Sequence, residues 1–347
     1  MKIEHTICPS CSIGCGVDII NMAGRAVGTH PYRRHPINEG KVCKNGREAY
    51  KLTKHRLKHP QLKTSKGFKK ITWKEAIERI IEEISSRTPI YIITSGAITN
   101  EEAQRLSKFA RKLKIKLALY SNFPRANYPQ INIKNIEKYE KIFILGDIIN
   151  ENPLLGRRIL KAKDKGADII AIDTKITRTT INSTRHYKAD NIIEILKGEL
   201  IRDSLIIFNK KFANETESIL RLSESKGIDF IPVFEECNTR GVMEHIPPLN
   251  EKMIDEINAN LFWIIDPFSR ITLDNFKSEF LIFQSAYESK ISSKVDLVIP
   301  TTIWCEKKGS YTNTFGITQK FQKILPTPNI LKDSKIFDEI IEGLSQR

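Results

Sequence analysis

Four cysteines, Cys8, Cys11, Cys15 and Cys43, constrain this chain more than any other feature. Three stand in CPSCSIGC, a C-x2-C-x3-C run that places three thiolates within about two turns of backbone. The fourth follows 27 intervening residues later, in VCKNGREAY. Soft thiolates converging from separate loops suit the corners of an iron–sulfur cube, and the spacing predicts one 4Fe–4S cluster on these four residues. Gly14 and Gly16 flank the third cysteine, where a chain wrapped around a cluster needs unusual φ values. The competing reading is a structural zinc site, whose usual form is two CxxC knuckles; the second pair is missing here. A disulfide framework fits less well, because a chain of this length needs no staples.

The remaining composition describes an ordinary globular chain of 347 residues, 40% hydrophobic and 28% charged, long enough for two or three lobes. No apolar run approaches the roughly 18 residues of a membrane span, and MKIEHTICPSC has no apolar signal core. With six cysteines, four of them ligand-like, a reducing cytoplasm is expected. The net charge of +15 comes from lysines scattered among 41 acidic residues, with no aromatic-studded basic motif, so no nucleic-acid partner is expected. The densest basic stretch, Lys51–Lys70, reads first as a solvated face and second as a surface for an anionic cofactor or acidic partner subunit.

The predicted fold is α/β: a small N-terminal iron–sulfur lobe (1–56) followed by doubly wound parallel-sheet lobes (57–347). In the first lobe a short strand, Val17–Ile20, leads to a turn at Gly24. Thr72 and Glu75 form a capping box for a helix whose Ala76, Ile77, Ile80, Ile81 and Ile84 make one apolar stripe. Then come YIITSG (91–96), a helix from about Asn100, KLALY (116–120), KIFILGD (141–147), a helix from Pro153, and ADIIAID (167–173). IDFIPV (228–233), NLFWIID (260–266), EFLIFQS (279–285), VDLVIP (295–300) and a helix near 336–346 complete the pattern. Apolar strands alternating with amphipathic helices imply parallel sheets. Ligands of such sheets bind at the carboxyl ends of strands, which singles out the loops after Thr94, Leu145, Ile172, Val233, Ile265 and Ile299.

Several segments together resemble the molybdopterin oxidoreductase family, in particular the catalytic subunits of formate dehydrogenases. CPSCSIGCGVDI with HPINEGKVCKNGREAY is similar to the family's cluster signature, and TNEEAQRLSKFAR to its TNEEN helix. KIFILGDIINENPLLGRRILKAKDKGADIIAIDTKIT looks like its nucleotide-loop unit, ECNTRGVM like its asparagine–glycine–methionine segment, and VDLVIPTTIWCEKKGSYTNTFGITQK like its ADVVLP…EKxGTFTN stretch. The resemblance implies a 4Fe–4S cluster on the four cysteines and a buried molybdopterin guanine dinucleotide with molybdenum or tungsten. It implies that Gly146, Asn150, Glu151 and Asp173 line one dinucleotide and that Asn238, Gly241 and Met243 lie near the pterin. Glu306, Lys307, Gly309, Thr312 and Asn313 fall in the last matching loop, with Glu306 and Asn313 as cofactor-binding candidates and bracing of the fold as the alternative role.

Three departures stand beside these matches. The metal-coordinating cysteine or selenocysteine expected after the TNEEN helix is missing from LALYSNFPRANYPQ, leaving Ser121 as a weak oxygen-ligand candidate with loop capping as its ordinary role. Cys237 and Cys305 fall in other segments and read as core cysteines. The family's bridging lysine belongs two residues after the last cysteine, where Asn45 stands; Lys44, one residue earlier, is left as relay or solvent-facing side chain. No stretch resembles the family's C-terminal β-barrel, and a separate barrel subunit is expected to supply it, alongside an electron-transfer partner. Three functions remain open: a cluster-and-pterin redox subunit of a formate-dehydrogenase-like complex, a pterin-free electron-transfer or scaffolding subunit, and a non-redox zinc or assembly protein.

Overall fold

The computed structural model describes residues 1–271, 277–288, 294–327 and 329–347. Lys2–Ile7, Gly16–Met22 and Arg25–Pro31 pair as a three-stranded antiparallel sheet. The expected strand at Val17–Ile20 is its centre. The first strand carries no clear alternation, since Ile3 is exposed while Thr6 is buried, and the sequence pattern does not predict it. The Cys8–Cys15 loop joins the first two strands and is closed by the Cys8 N–H donating to the Cys15 carbonyl at 2.8 Å.

Two larger sheets follow. One has five parallel strands in the order Arg185–Tyr187, Asp168–Ile172, Lys141–Leu145, Ser204–Asn209, Asp229–Val233. The other has eight, ordered Pro248–Leu249, Lys116–Tyr120, Ile90–Thr94, Leu261–Ile265, Phe280–Ser285, Leu297–Pro300, Gln61–Thr64, Gly67–Lys70. Its first six run parallel, and the last two form an antiparallel edge hairpin. The five-stranded sheet is therefore inserted within the chain of the eight-stranded one. This is the mixed α/β architecture with parallel sheets that the sequence pattern predicts.

Alternate strand residues enter opposite cores, as parallel strands buried on both faces require. Phe143, Leu145, Ile170, Ile206 and Phe208 share one core with Ile92, Trp263 and Ile282 of the eight-stranded sheet. Ile142, Ile144, Ile169 and Ile207 face another that also takes Ile7, Val17 and Ile19 of the N-terminal sheet. Each such side chain contributes about 1.5–3 kcal/mol by burial. The strand Ser204–Asn209, buried at all six positions, is a further element beyond the predicted set.

The helices start where their caps dictate. Thr72 Oγ1 accepts from the Glu75 N–H at 3.2 Å and the Glu75 carboxylate accepts from the Thr72 N–H at 2.7 Å, opening Trp73–Ser86. Thr99 and Glu102 repeat the arrangement for Asn100–Lys112. Pro153 occupies the first position of Pro153–Asp164, where its missing N–H costs nothing. The edge hairpin takes up part of the basic stretch, and its lysines are exposed. Among the described residues no helix is long and apolar enough to cross a membrane.

Candidate functional site

The Cys8, Cys11, Cys15 and Cys43 side chains line one void. Cys8 follows the first strand and Cys15 precedes the second. Cys43 caps the short helix Lys44–Arg47, its carbonyl accepting from the Arg47 N–H at 3.1 Å. That turn lies against Cys8, whose Sγ would stand 4.0 Å from a Cβ placed on Gly46. Gly14 has φ +74°, and a Cβ there would meet Gln319 Oε1 at 2.1 Å. Gly16 needs smallness for a different reason: its Cβ would meet the His35 ring at 2.3 Å.

Long-range hydrogen bonds hold this loop in place. Gln319 Nε2 donates to the Gly14 carbonyl at 3.0 Å, the Thr314 N–H to the Ser12 carbonyl at 2.8 Å, and Ser12 Oγ to the Phe234 carbonyl at 2.9 Å. Burial pushes the Cys8, Cys11 and Cys15 thiols up, Cys11 to about 12, and at each of the three neighbouring thiols push in the same direction. Buried thiols that repel one another's ionisation become thiolates only around a positive centre. A 4Fe–4S cluster is such a centre, so the donor set fits it. Among the described residues no three His, Cys, Asp or Glu side chains are grouped as ligands of a single ion; the four thiols surround a void instead.

Beside that void opens a cleft of about 1110 Å³. Ser95, Asn122, Glu151, Lys210, Glu235 and Arg270 line it from the ends of six different parallel strands. Ser10, Cys11, Asn45, Glu151 and Asn152 belong to both walls, so the cysteine site and the cleft are separated by a single layer of residues. Lys51, Lys210, Lys211 and Arg270 place cations along the cleft. Against them stand five carboxylates, Glu48, Glu151, Glu235, Glu236 and Glu251. Burial raises Glu236 to about 7, an effect the paired Arg270 guanidinium opposes. Burial also raises Glu235, which accepts from the Asn122 N–H at 2.9 Å.

The residues singled out in the sequence divide into three groups. Glu151 lines the cleft and accepts from Asn209 Nδ2 at 2.9 Å. Gly146 is outside the lining, with φ +97°, and a Cβ there would meet the Asn209 amide at 2.5 Å. Asp173 is buried outside the lining but accepts from Lys211 Nζ, a cleft residue, at 2.6 Å. Asn150 is exposed and outside the lining.

The second group lies outside the cleft lining. Asn238 Nδ2 donates to the Ile98 carbonyl at 2.7 Å and its Oδ1 accepts from the Thr312 N–H at 2.6 Å. Gly241 packs against Asn100 and Asn238, and Met243 borders a separate surface depression. Asn313 Oδ1 accepts from the Phe315 and Ile317 N–H groups, Glu306 pairs with Arg56, and Lys307 pairs with Glu102. Gly309 sits against Thr99. The contacts of the last matching loop are thus made within the fold.

The third group concerns the ligand and relay candidates. Ser121 is buried, donates to Glu235 at 3.1 Å and accepts from the Phe123 N–H at 3.2 Å; Tyr120 and Asn122 line the cleft, and Ser121 does not. Lys44 is exposed and lines neither void nor cleft, whereas Asn45 lines both. Cys237 and Cys305 are buried core residues. Among the described residues Cys11 supplies the only thiol of the cleft lining, so they offer the cleft no protein sulfur beyond the cysteine site itself. Arg270 is a cleft residue that sequence reasoning misses; its one signal is its place in the loop after Ile265.

Residues 1–55 match the molybdopterin oxidoreductase Fe4S4 domain, and residues 56–199 and 249–343 match the molybdopterin oxidoreductase family. The F420-dependent formate dehydrogenase subunit alpha of Methanocaldococcus jannaschii is 36% identical over 248 residues, covering 64% of this chain and 36% of its own length. The assimilatory nitrate reductase catalytic subunit of Bacillus subtilis is 28% identical over 241 residues, covering 59% of this chain and 34% of its own. Acetylene hydratase from Pelobacter acetylenicus shares the fold with a TM-score of 0.66 at 12% identity, covering 99% of this chain and 70% of the other. The chain spans about a third of the length of the formate dehydrogenase relatives.

Proposed function

The chain belongs to the molybdopterin oxidoreductase family, and from that premise we propose that it works as the cluster-bearing subunit of a formate-dehydrogenase-like complex. Cys8, Cys11, Cys15 and Cys43 hold a 4Fe–4S cluster, and the adjoining cleft seats the pterin. The observation that carries this reading is the shared wall: Ser10, Cys11, Asn45, Glu151 and Asn152 border both sites, so a group in the cleft lies one layer of residues from the cysteines. When bound, the metal–pterin group supplies the redox chemistry at the substrate. The chain's own residues position and screen it. Lys51, Lys210 and Lys211 offset the cofactor's negative charge, Asn209 and Glu151 fix one another at the wall, and the Glu236–Arg270 pair faces the same space. The complex exchanges electrons with a partner subunit.

One observation favours a second reading, a pterin-free subunit that keeps the cluster. Apart from Cys11 no sulfur of the described residues lines the cleft, and Ser121 is engaged by Glu235. Iron, sulfide, molybdenum, tungsten and pterin analysis of the anaerobically purified chain separates the two. Iron and sulfide near four per chain with pterin support the first reading. The same iron and sulfide without pterin supports the second, and zinc alone overturns both.

A further inference from the structure

The Arg270 guanidinium stands where the cysteine site meets the cleft. Its loop follows the strand Leu261–Ile265 and is built around Asp266, whose buried carboxylate accepts from the N–H groups of Phe268 at 3.3 Å, Arg270, and Ile271 at 2.6 Å. Ser269 adopts a left-handed φ of 55°, a conformation rare for a residue with a Cβ. The turn that results presents Arg270 to two acceptors. One is the Glu236 carboxylate; the other, at 3.5 Å, is the carbonyl of Pro9, the residue after Cys8. The Phe268 ring packs on the guanidinium at 4.9 Å. Arg270 is therefore held from three sides, with its side chain 31% exposed. Lys44, the nearest lysine in sequence to the cysteines, is exposed and outside the cleft lining.

We infer that Arg270 raises the reduction potential of the cluster, acting as a fixed positive charge in the cleft lining, bonded to the carbonyl of Pro9 next to Cys8. The inference rests on the cluster reading above. Adding an electron makes the cluster more negative, and a fixed cation beside it favours that state. The Glu236 carboxylate acts in the opposite sense and also anchors the cation. Arg270 is a positioning and tuning residue, not a ligand.

The test is potentiometric titration of the cluster, followed by electron paramagnetic resonance, in the full chain and in Arg270→Gln, Arg270→Lys and Glu236→Gln variants. Iron and sulfide are counted first, and the buffer is alkaline so that Glu236 is ionised. Arg270→Gln shifts the midpoint potential downward, Arg270→Lys restores most of it, and Glu236→Gln shifts it upward. A merely structural Arg270 would change stability and leave the potential where it was. Full iron content with an unmoved potential in Arg270→Gln overturns the inference and leaves the cluster reading intact. If Arg270→Gln fails to hold iron, Glu236→Gln decides: an unchanged or lower potential overturns the inference. A wild-type chain without iron removes the cluster reading and this inference together.

Discussion

Arg56 and Glu306 meet in a two-point ion pair, 2.7 and 3.2 Å long, with only 4% and 6% of the two side chains exposed. The same guanidinium donates to the Thr301 carbonyl at 2.7 Å. The pair ties the segment after the cysteine lobe to the loop that carries the Gly309–Phe321 hairpin, which in turn pins the cysteine loop. Removing one partner strands a buried charge, so Glu306→Ala lowers unfolding free energy by about 3–5 kcal/mol. Denaturant titration checks this; a loss within error of zero would show that the pair is not isolated from water.

Gly14→Ala is expected to lose iron as well as stability. The left-handed φ of +74° and the contact with Gln319 both oppose a Cβ, at a cost of about 1–3 kcal/mol. Iron per chain after anaerobic purification is the readout, with Gly166→Ala as control: it shares the positive φ, but nothing lies within 4 Å of its Cβ. Equal iron in both variants would contradict the tight fit at Gly14.

Much of the fold is legible in the sequence because its signals are local. The Thr72–Glu75 box, the Pro153 start and apolar runs such as KLALY depend on neighbours a few residues apart. The cysteine pattern is legible for the same reason. The bonds that Asn238 and Asn313 make are not legible in this way: Asn238 donates to the Ile98 carbonyl and Asn313 to the Ile13 carbonyl (at 3.3 Å), 140 and 300 residues away. Side-chain bridges of that reach leave no periodic trace. Arg270 is invisible for a related reason: its role comes from Pro9 and Glu236, which only the folded chain brings beside it.

Acid stability should depend on Glu137. Lys165 and Arg158, the two largest causes, with Lys161 nearby, lower its carboxyl from an ordinary 4.5 to about 2. A folded value below the unfolded one means that the stabilisation is complete above about 4.5 and is lost as pH falls toward 2. Wild type is therefore more stable than Glu137→Gln near neutrality, and the gap closes on acidification through that window. A gap independent of pH would rule out the ion cluster as its origin.

Ser121→Ala separates a metal ligand from a loop brace. Its hydroxyl is spent on Glu235 and the Phe123 N–H, so the variant should lose about 1–3 kcal/mol of stability and keep its metal content. Loss of molybdenum or tungsten without loss of stability would return Ser121 to the ligand role. Since the described residues give the cleft no sulfur besides Cys11, the purified chain by itself should show no formate-dependent dye reduction. Steady reduction would require a metal ligand elsewhere.

The most direct measurement is iron and acid-labile sulfide per chain in six single cysteine-to-alanine variants, purified anaerobically beside wild type. The account predicts about four of each in wild type and loss of the cubane signal in the Cys8, Cys11, Cys15 and Cys43 variants. The Cys237 and Cys305 variants should keep it. Zinc without sulfide in wild type, or a full cluster in the Cys43 variant, would contradict the account.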